Sequence, residues 1–317
     1  HDTPKAWPST AVSSWLNGGL FGGGFAGAAY FAGGDGASTV ATIDKFAFPD
    51  DTRTTLGTGL SAATFALAGA ANSGVAALFA GGSTGSTVDT VDKLAFLDDS
   101  RTTLGTGLSA VRRDLAGAAN SGTAAYFGGG TPTTATVNKF AFSDDSRTTL
   151  GTGLSVARYA LAGAANSGTA AYFGGGYGGG VHTTVDKFAF SDDGRTTLGT
   201  GLATGTYDIA GAANSGTAAY FAGGSNTSHA RVSTVDKFAF SDDSRTTLGT
   251  GLSSARNYVT GAADSGTAAY FAGGYDSAHV TTVDKFAFAD DSRTTLGTGL
   301  SNARSKMGGA ANSETLA

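Results

Sequence analysis

Cysteine is absent from this chain of 317 residues. Disulfide bonds, thiolate metal sites and a cysteine nucleophile are therefore excluded. Proline is scarce, at 4 residues, and the 51 glycines follow no Gly-X-Y register, so the composition fits neither collagen nor a disordered linker. No apolar run approaches the roughly 18–20 residues that a membrane-spanning helix needs, and we expect no membrane insertion.

Charge is also sparse, because only 14% of the residues are Asp, Glu, Lys or Arg and the net charge is −5. The lysines and arginines are spread evenly along the chain, whereas a nucleic-acid-binding surface needs them clustered. We therefore predict no nucleic-acid partner. The chain does have 20 phenylalanines and 10 tyrosines, which are enough large apolar side chains for a substantial core.

Internal repetition is the strongest feature of the sequence. The string "DKFAF", or a close variant, begins at six positions separated by 48, 46, 48, 50 and 48 residues: Asp44, Asp92, Asn138, Asp186, Asp236 and Asp284. This period matches a four-stranded blade of a β-propeller. We predict an all-β fold, a six-bladed β-propeller of four-stranded antiparallel blades over residues 17–317, preceded by an N-terminal extension of residues 1–16.

Each repeat contains four short runs that are typical of strands, bounded by Gly, Asn, Asp or Ser. In one repeat they are "LAGAANS" (161–167), "AAYFGGG" (170–176), "TTVDKFAF" (183–190) and "TTLGTGL" (196–202). Alternation in the third run predicts that Phe188 faces one side of the blade and that Val185 faces the other. The recurrent glycines argue against helices.

The two ends of the chain are predicted to close the ring. The innermost run recurs a last time as "MGGAANS" from Met307, and no double-glycine strand follows it. We predict that this C-terminal strand pairs into the N-terminal blade and ties the first and last repeats together. The alternative is that residues 20–26 keep that place and that the segment from Met307 adds an extra strand.

The repeat resembles the kelch repeat, in which an apolar run ends in double glycine, as in "YFGGG", before a varied loop and a second signature segment, here "TVDKFAFSDDGRTTLGTGL". The "SVAR" at 155–158 lies where kelch units carry an arginine between blades. The tryptophan expected in the last kelch strand is leucine at Leu56, Leu104, Leu150, Leu198, Leu248 and Leu296. With this departure, the repeat sequences more closely resemble the kelch-like arrays of tailed-phage structural proteins, such as tail fibres, and of bacterial surface proteins. This resemblance implies a virion or an extracellular, cell-surface location.

An aspartate pair and an arginine recur in every repeat, as in "SDDSR" (143–147). General acid–base catalysis needs two carboxylates in different environments, and six equivalent copies provide the opposite. Asp is common in turns because its side chain accepts hydrogen bonds from nearby backbone N–H groups. We predict a structural turn whose arginine pairs locally or with the next blade, and a weak Ca²⁺ site is the alternative.

Catalytic motifs are missing. His182, His229 and His279 lie in loops of different repeats without metalloprotease spacing, and no serine lies in a Gly-x-Ser-x-Gly elbow. A galactose-oxidase-type copper site needs a cysteine, and His1 could chelate copper but has no support elsewhere in the sequence. We expect a protein that is not an enzyme and has no cofactor or metal, with a hydrolase at the axial channel as an alternative.

Variation among the repeats collects in the segment after the double glycine and in the segment before the innermost run, whereas turns such as "NSGT" and "DDSR" barely change. Because successive connections of an up-and-down blade alternate between its two ends, both varied segments are predicted to share one face of the disc. Loops on a rigid scaffold often carry binding residues, although unconstrained drift is the alternative. Tyr, Asn, Arg and His suit recognition. The predicted ligand-binding residues are Tyr177, His182, Asn226, His229, Arg231, Tyr275, Asp276, His279, Arg112, Arg113, Tyr159, Tyr207 and Tyr258, with Asp208 and Asn257 in the same segments.

These features together predict a binding or structural module of a virion appendage or an extracellular surface assembly. Its partner is expected to be a glycan or a protein on a cell surface, bound through the varied loops, or neighbouring subunits of a virion or filament. The alternative is a purely architectural block whose constant turns dock a neighbour.

Overall fold

The structure, a computed structural model, describes residues 27–313. The predicted extension of residues 1–16, the alternative strand at residues 20–26 and His1 lie outside the described residues. Residues 27–313 form strands and connecting loops without a helix, so no helix in this range is long and apolar enough to cross a membrane.

Six sheets of four antiparallel strands surround a central axis. The innermost strands are β4 (Ala68–Asn72), β8 (Ala116–Asn120), β12 (Ala162–Asn166), β17 (Ala210–Asn214), β22 (Thr260–Asp264) and β26 (Gly308–Asn312). The second strands are β1 (Ala28–Ala32), β5 (Ala76–Ala80), β9 (Ala124–Gly128), β13 (Ala170–Gly174), β18 (Ala218–Ala222) and β23 (Ala268–Ala272).

The outer half of each sheet is formed by a longer third strand and a short fourth strand. The third strands are β2 (Ile43–Ala47), β6 (Val91–Ala95), β10 (Val137–Ala141), β14 (Val185–Ala189), β20 (Val235–Ala239) and β24 (Val283–Ala287). The fourth strands are β3 (Arg53–Thr55), β7 (Arg101–Thr103), β11 (Arg147–Thr149), β15 (Arg195–Thr197), β21 (Arg245–Thr247) and β25 (Arg293–Thr295). A separate two-stranded ladder joins β16 (Thr206–Tyr207) to β19 (Ser225–Asn226).

The sheets are the blades of a six-bladed β-propeller, numbered 1–6 from the blade that contains β1. Blade 1 takes its innermost strand from the C-terminal end of the described chain. There β26 pairs with β1 so that Asn312 lies opposite Ala28 and Gly308 lies opposite Ala32. The predicted fold and the predicted ring closure by the C-terminal strand are therefore confirmed.

The connections divide the disc into two faces. The turns between innermost and second strands, and those between third and fourth strands, lie on one face, which we call the constant face. The loops between second and third strands, and the connectors between blades, lie on the other face, which we call the varied face. The two varied segments of each repeat thus share a face, as predicted.

Glycine at the second position of every innermost strand lets the six strands approach one another around the axis. These residues are Gly69, Gly117, Gly163, Gly211, Gly261 and Gly309. A Cβ added to Gly163 would lie 2.2 Å from the carbonyl oxygen of Gly117, and one added to Gly211 would lie 2.2 Å from that of Gly163. An alanine at these positions would force neighbouring strands apart, so the glycines set the diameter of the ring.

The fourth strands are shorter than predicted. The sequence predicts a strand over residues 196–202, whereas β15 ends at Thr197. The chain then turns inward, the Leu202 N–H donates to the Thr183 carbonyl at 2.8 Å, and the Leu202 side chain is buried. An added Cβ on Gly201 would lie 2.4 Å from the same carbonyl, so glycine permits this path. Burial of the leucine outweighs further pairing at the sheet edge.

The apolar core lies between neighbouring blades. Between blades 4 and 5, Tyr172 and Val185 pack against Phe238 and Phe240, and the Tyr172 and Phe240 ring centres are 5.0 Å apart. Phe188 packs in the opposite direction, against blade 3. The alternation predicted for the third strand is confirmed.

A tyrosine, a lysine and an aspartate join neighbouring blades near the constant face. The Asp243 carboxylate of blade 5 accepts hydrogen bonds from Lys187 Nζ and from the Tyr172 hydroxyl of blade 4, both at 2.8 Å. The same three residue types join five of the six blade pairs. Between blades 2 and 3, Leu78 replaces the tyrosine, although Lys93 still binds Asp145 at 2.8 Å.

The recurrent aspartates have two structural roles. Asp144 Oδ1 accepts the Ser146 N–H at 3.0 Å and closes the turn, while Asp145, with φ 57°, directs its carboxylate to the preceding blade. Arg147 donates to the Gly107 carbonyl of that preceding blade at 2.9 Å, and the equivalent arginine of blades 2 and 6 donates to a threonine of its own strand. The prediction of a structural turn is confirmed. The arginine pairs locally in blades 2 and 6, as predicted, but its contact between blades is with the preceding blade and not with the next one.

Candidate ligand-binding face

Connector and loop are paired in the same way in all six blades of the varied face. One residue of each connector forms an antiparallel bridge with the residue that follows the double glycine. The pairs are Phe65–Ser83, Arg113–Thr131, Tyr159–Tyr177, Tyr207–Ser225, Asn257–Tyr275 and Ser305–Asp35. The side chains differ while the backbone is equivalent, so this face displays varied groups on a fixed frame.

A closed ring of backbone hydrogen bonds surrounds the axis on the varied face. Its members are the next connector residues, Ala66, Asp114, Ala160, Asp208, Tyr258 and Lys306. The N–H of each donates to the carbonyl of its equivalent in the preceding blade at 2.7–3.2 Å, and each has a φ between 53° and 58°. This left-handed conformation costs a non-glycine residue about 1–2 kcal/mol, which the hydrogen-bond ring offsets.

The side chains of this ring line a cavity of about 80 Å³ at the axis, which we call the axial opening. Asp208 is 8% exposed there, and its Oδ2 has no hydrogen-bond partner within residues 27–313. Burial raises the pKa of Asp208 to about 7, the negative charge of Asp114 adds to the rise, and the positive charge of Lys306 opposes it. Asp208 therefore changes charge near neutral pH.

Two cations accompany the carboxylates of the axial opening. Lys306 Nζ lies 4.2 Å from the centre of the Tyr258 ring and 5.6 Å from that of Phe65, within the range of cation–π attraction. Arg113 Nε lies 3.3 Å from Asp114 Oδ2. Burial raises the pKa of Asp114, while Lys306 and Arg113 oppose the rise. The opening thus presents both acceptors and cations to a polar ligand.

Tyr159, Tyr177, Tyr207 and His229 form an aromatic row across blades 4 and 5. The ring centres of Tyr159 and Tyr177 are 5.7 Å apart, and those of Tyr177 and Tyr207 are 5.8 Å apart. The Tyr207 hydroxyl lies 2.9 Å from His229 Nδ1. The tyrosines are half-buried and His229 is exposed, so the row combines accessible ring surface with hydroxyl groups.

A second aromatic cluster lies between blades 5 and 6. The Arg231 guanidinium lies 4.8 Å from the centre of the Tyr275 ring, and the His279 ring centre lies 5.2 Å from the same Tyr275 ring centre. In the same loop Asp276 accepts the Ser277 N–H at 2.5 Å, which is the main cause of its lowered pKa. Asp276 therefore remains ionised beside the cluster.

His182 and Asn226 mainly organise their own loops. His182 Nε2 lies 3.2 Å from the Gly178 carbonyl oxygen, and Asn226 Oδ1 accepts the Ser228 N–H at 2.9 Å. Both side chains are half-buried on the varied face. Part of the hydrogen-bonding capacity of both side chains is therefore used within their own loops.

Arg112 does not lie on the exposed surface, and its predicted placement there is wrong. It is 2% exposed, with Nη1 donating to the Gly129 and Thr136 carbonyls at 3.0 Å and Nη2 donating to Asn138 Oδ1 at 2.5 Å. Burial, together with the charge of Arg147, lowers the pKa of Arg112 to about 10. In an extended connector, successive side chains point to opposite sides, so Arg113 is only half-buried whereas Arg112 is buried.

Asp114 and Lys306 line the axial opening although the sequence pattern did not single them out. Asp114 and Lys306 are the sixth residues of the connectors "SAVRRD" and "SNARSK", a position that they share with Asp208 and Tyr258. The equivalence of the sixth connector position in all repeats is the sequence signal that could have identified Asp114 and Lys306.

The end of the axial channel nearer the constant face is chemically uniform. A cavity of about 280 Å³ there is lined by the glycines, alanines and serines of the innermost strands and their turns. The serines are linked in a ring, in which the Ser121 N–H donates to Ser167 Oγ at 3.1 Å and the Ser167 N–H donates to Ser215 Oγ at 3.0 Å. Across residues 27–313, no group of three His, Asp or Glu side chains is arranged to hold a metal ion.

Comparison of the chain with known protein-family models and with curated proteins finds no match. The β-propeller fold therefore rests on the strand pairing, and the candidate site rests on the residues that form it.

Proposed function

We propose that the protein is a non-enzymatic binding module that recognises its ligand through the varied face. The observation that carries this proposal is the aromatic row beside the charged axial opening, on a backbone frame that is equivalent in every blade. Groups held on a rigid frame lose little conformational freedom on binding, which favours affinity.

The ligand class that fits these groups best is a glycan. Sugar rings have apolar C–H faces that pack on aromatic rings and hydroxyls that pair with carboxylates, amides and cations. The aromatic row supplies the first kind of surface, and Asp114, Lys306 and Arg113 supply the second. A protein partner would use the same groups as anchors.

The setting that we propose is a virion appendage or an extracellular surface. It is supported by the resemblance of "TVDKF", "SVAR" and the double-glycine strands to kelch-like arrays of tailed-phage structural proteins and bacterial surface proteins. The function needs neither a cofactor nor a nucleic acid.

A glycan array followed by calorimetric titration of the strongest ligand tests the proposal. The variant Y177A/Y207A is expected to weaken binding at least about tenfold, which corresponds to about 1.4 kcal/mol. The control V75A removes an exposed side chain from the constant face and should bind like the wild type. Undiminished binding by a folded Y177A/Y207A variant would show that the row is not the site.

A second candidate function is an architectural block that joins its neighbours through the constant face. Val75 is 53% exposed and Leu97 is 71% exposed in adjacent turns of blade 2, where the Phe96 N–H donates to the Val75 carbonyl at 2.9 Å. Neighbouring exposed apolar side chains often mark contacts between proteins. Under this alternative, V75S/L97S would abolish self-association in sedimentation experiments, whereas Y177A/Y207A would leave it unchanged.

A further inference from the structure

Three blades bury an arginine of the connector against an aspartate of the third strand. In blade 4, Arg158 Nη1 lies 3.0 Å from Asp186 Oδ2, both side chains are fully buried, and Arg158 Nη2 donates to the Phe173 carbonyl at 3.0 Å. Blades 6 and 1 repeat this arrangement with Arg256–Asp284 at 2.9 Å and Arg304–Asp44 at 3.1 Å. A carboxylate and a carbonyl thus form a repeated guanidinium receptor.

Blade 5 keeps the carboxylate of this receptor and replaces the arginine by Thr206. The backbone position is equivalent, because the Gly176 N–H donates to the Thr206 carbonyl as the Gly130 N–H donates to the Arg158 carbonyl, at 2.8 and 3.0 Å. Asp236 is 5% exposed. In the described part of the chain, no lysine or arginine nitrogen lies within 4.0 Å of its carboxylate.

The space that the arginine side chain fills in three blades is a cavity in blade 5. Its volume is about 60 Å³, and its lining includes Asp236, Phe221, Thr206 and Asn226. One water needs roughly 10–15 Å³ of such volume, so the cavity is large enough for a planar group of several atoms. Its lining also includes exposed side chains of the varied face, so a ligand can reach it from solvent.

The groups that face this cavity select for a cation that donates hydrogen bonds. Asp236 Oδ2 accepts only the Ala203 N–H, at 2.8 Å, whereas the equivalent oxygen of Asp186 also accepts the Ser155 hydroxyl at 3.0 Å. The Phe221 carbonyl is the equivalent of the Phe173 carbonyl that binds Arg158. A guanidinium has donors alone and pairs with a carboxylate in a charge-assisted way.

Blade 2 provides an internal comparison. There Thr64 also replaces the arginine, but the cavity is only about 20 Å³. Ser61 Oγ donates to Asp92 Oδ2 at 2.8 Å, and Arg101 Nη1 lies 3.6 Å from Asp92 Oδ1. The Asp92 carboxylate of blade 2 therefore already has a hydrogen-bond donor and a nearby cation within its own surroundings.

We propose that blade 5 contains a binding pocket for a guanidinium group, formed by Asp236 and the Phe221 carbonyl beneath Thr206. The group belongs either to a small guanidino compound or to an arginine side chain of a peptide. The pocket is separate from the aromatic row, and its occupancy does not require a glycan.

Thermal unfolding with increasing millimolar methylguanidinium, at constant ionic strength, tests the pocket, with tetramethylammonium as the control cation. The wild type and T64R are expected to gain thermal stability in a saturable way with methylguanidinium and not with tetramethylammonium. T206R, whose own side chain fills the pocket, and D236N should lose this response. D236N is expected to fold, because the chain itself has Asn138 at the equivalent position of blade 3.

An unsaturable response in the wild type, or an equal response in T206R, would overturn the proposal. Calorimetry with methylguanidinium and with an arginine-containing peptide then distinguishes the two sources of the group. Tighter binding of the peptide than of methylguanidinium, lost in T206R, supports an arginine of a partner. Equal binding of both, lost in T206R, supports a free guanidino compound.

Discussion

At the scale of single residues, the varied face contains a carboxyl group whose charge is poorly compensated. Asp208 is held in the axial opening by the ring of backbone hydrogen bonds, with Oδ2 unpartnered within residues 27–313 and Asp114 close enough to repel it. Buried unpaired charges destabilise folded proteins, and they persist at sites where another property is selected.

Replacing Asp208 by asparagine is expected to stabilise the protein above neutral pH. The pKa of about 7 in the folded state exceeds the ordinary value of 3.8. The folded state therefore keeps a proton that the unfolded state releases, and wild-type stability falls as the pH rises from about 4 to about 7. D208N should remove this fall and gain up to roughly 4 kcal/mol at about pH 8.

Thermal unfolding across this pH range measures the effect of D208N. The matched variant D276N removes a carboxylate with a lowered pKa from the same face, so it should not gain stability at high pH. A wild-type and a D208N curve that remain parallel from acid to alkaline pH would contradict the assignment.

Replacing Asn138 by aspartate is expected to stabilise blade 3, because Arg112 would gain the carboxylate that its equivalents have. In blade 4, burial opposes ionisation of Asp186, but the Thr197 hydrogen bond and the charge of Arg158 outweigh it and lower its pKa. The gain for N138D should be about 1–3 kcal/mol near neutral pH. It should disappear as the pH falls through the lowered pKa of the new carboxylate, below about pH 4. Urea unfolding of N138D and the wild type, near neutral pH and again below about pH 4, measures this difference in stability. Equal unfolding midpoints for the two proteins at neutral pH would contradict the prediction.

At the scale of elements, five of the six blade pairs are joined by a tyrosine–lysine–aspartate contact and by packing of aromatic side chains. Tyr172 illustrates both, since its hydroxyl donates to Asp243 and its ring packs on Phe240. The interface between blades 2 and 3 has Leu78 in this place and keeps only the lysine–aspartate pair. It is therefore expected to be the weakest of the six interfaces.

The variant L78Y is expected to stabilise the protein by about 1 kcal/mol, because the new hydroxyl can donate to Asp145 and the ring can pack near Phe142. The reverse change, Y172L, should cost about 1–3 kcal/mol at the complete interface. Chemical unfolding of both variants measures the pair. Destabilisation by L78Y would indicate that the interface cannot accept the larger ring.

At the scale of the whole molecule, the ring forms because six innermost strands with glycine at their points of closest approach surround the axis. It closes because the last described strand pairs with the first. Gly163 approaches the Gly117 carbonyl more closely than any side chain would permit, and the same contact recurs around the axis. Pairing of β26 with β1 removes the open edge that an unclosed ring would leave.

Replacing Gly163 by alanine is expected to destabilise the whole ring by about 1–3 kcal/mol, because the new methyl group must displace backbone on the neighbouring blade. The control G199A adds the same methyl group where no atom lies within 4 Å, so it should change stability by at most about 0.5 kcal/mol. Thermal unfolding compares the two. Equal unfolding temperatures for G163A and G199A would show that the ring can widen freely.

Most of the fold could be predicted because the same pattern of strands and turns occurs six times in the sequence. The period predicted the number of blades, and the runs between turn residues predicted the strands. The segment "MGGAANS" predicted the strand that closes the ring. The shortened fourth strand escaped prediction, because "TTLGTGL" has the composition of a strand and only the inward burial of Leu202 ends it. Arg112 escaped because its neighbour Arg113 has the same chemistry and the opposite orientation.

The sequence by itself determined the number of blades, the way that the ring closes and the face on which variation collects, since these follow from periodicity and strand alternation along one chain. Only the tertiary structure decided which varied residues meet. Asp114, Asp208 and Lys306 lie far apart in sequence and converge at the axis because each is the same position of a different blade. The pocket beside Asp236 likewise depends on a connector, a loop and a strand that only the folded blade brings together.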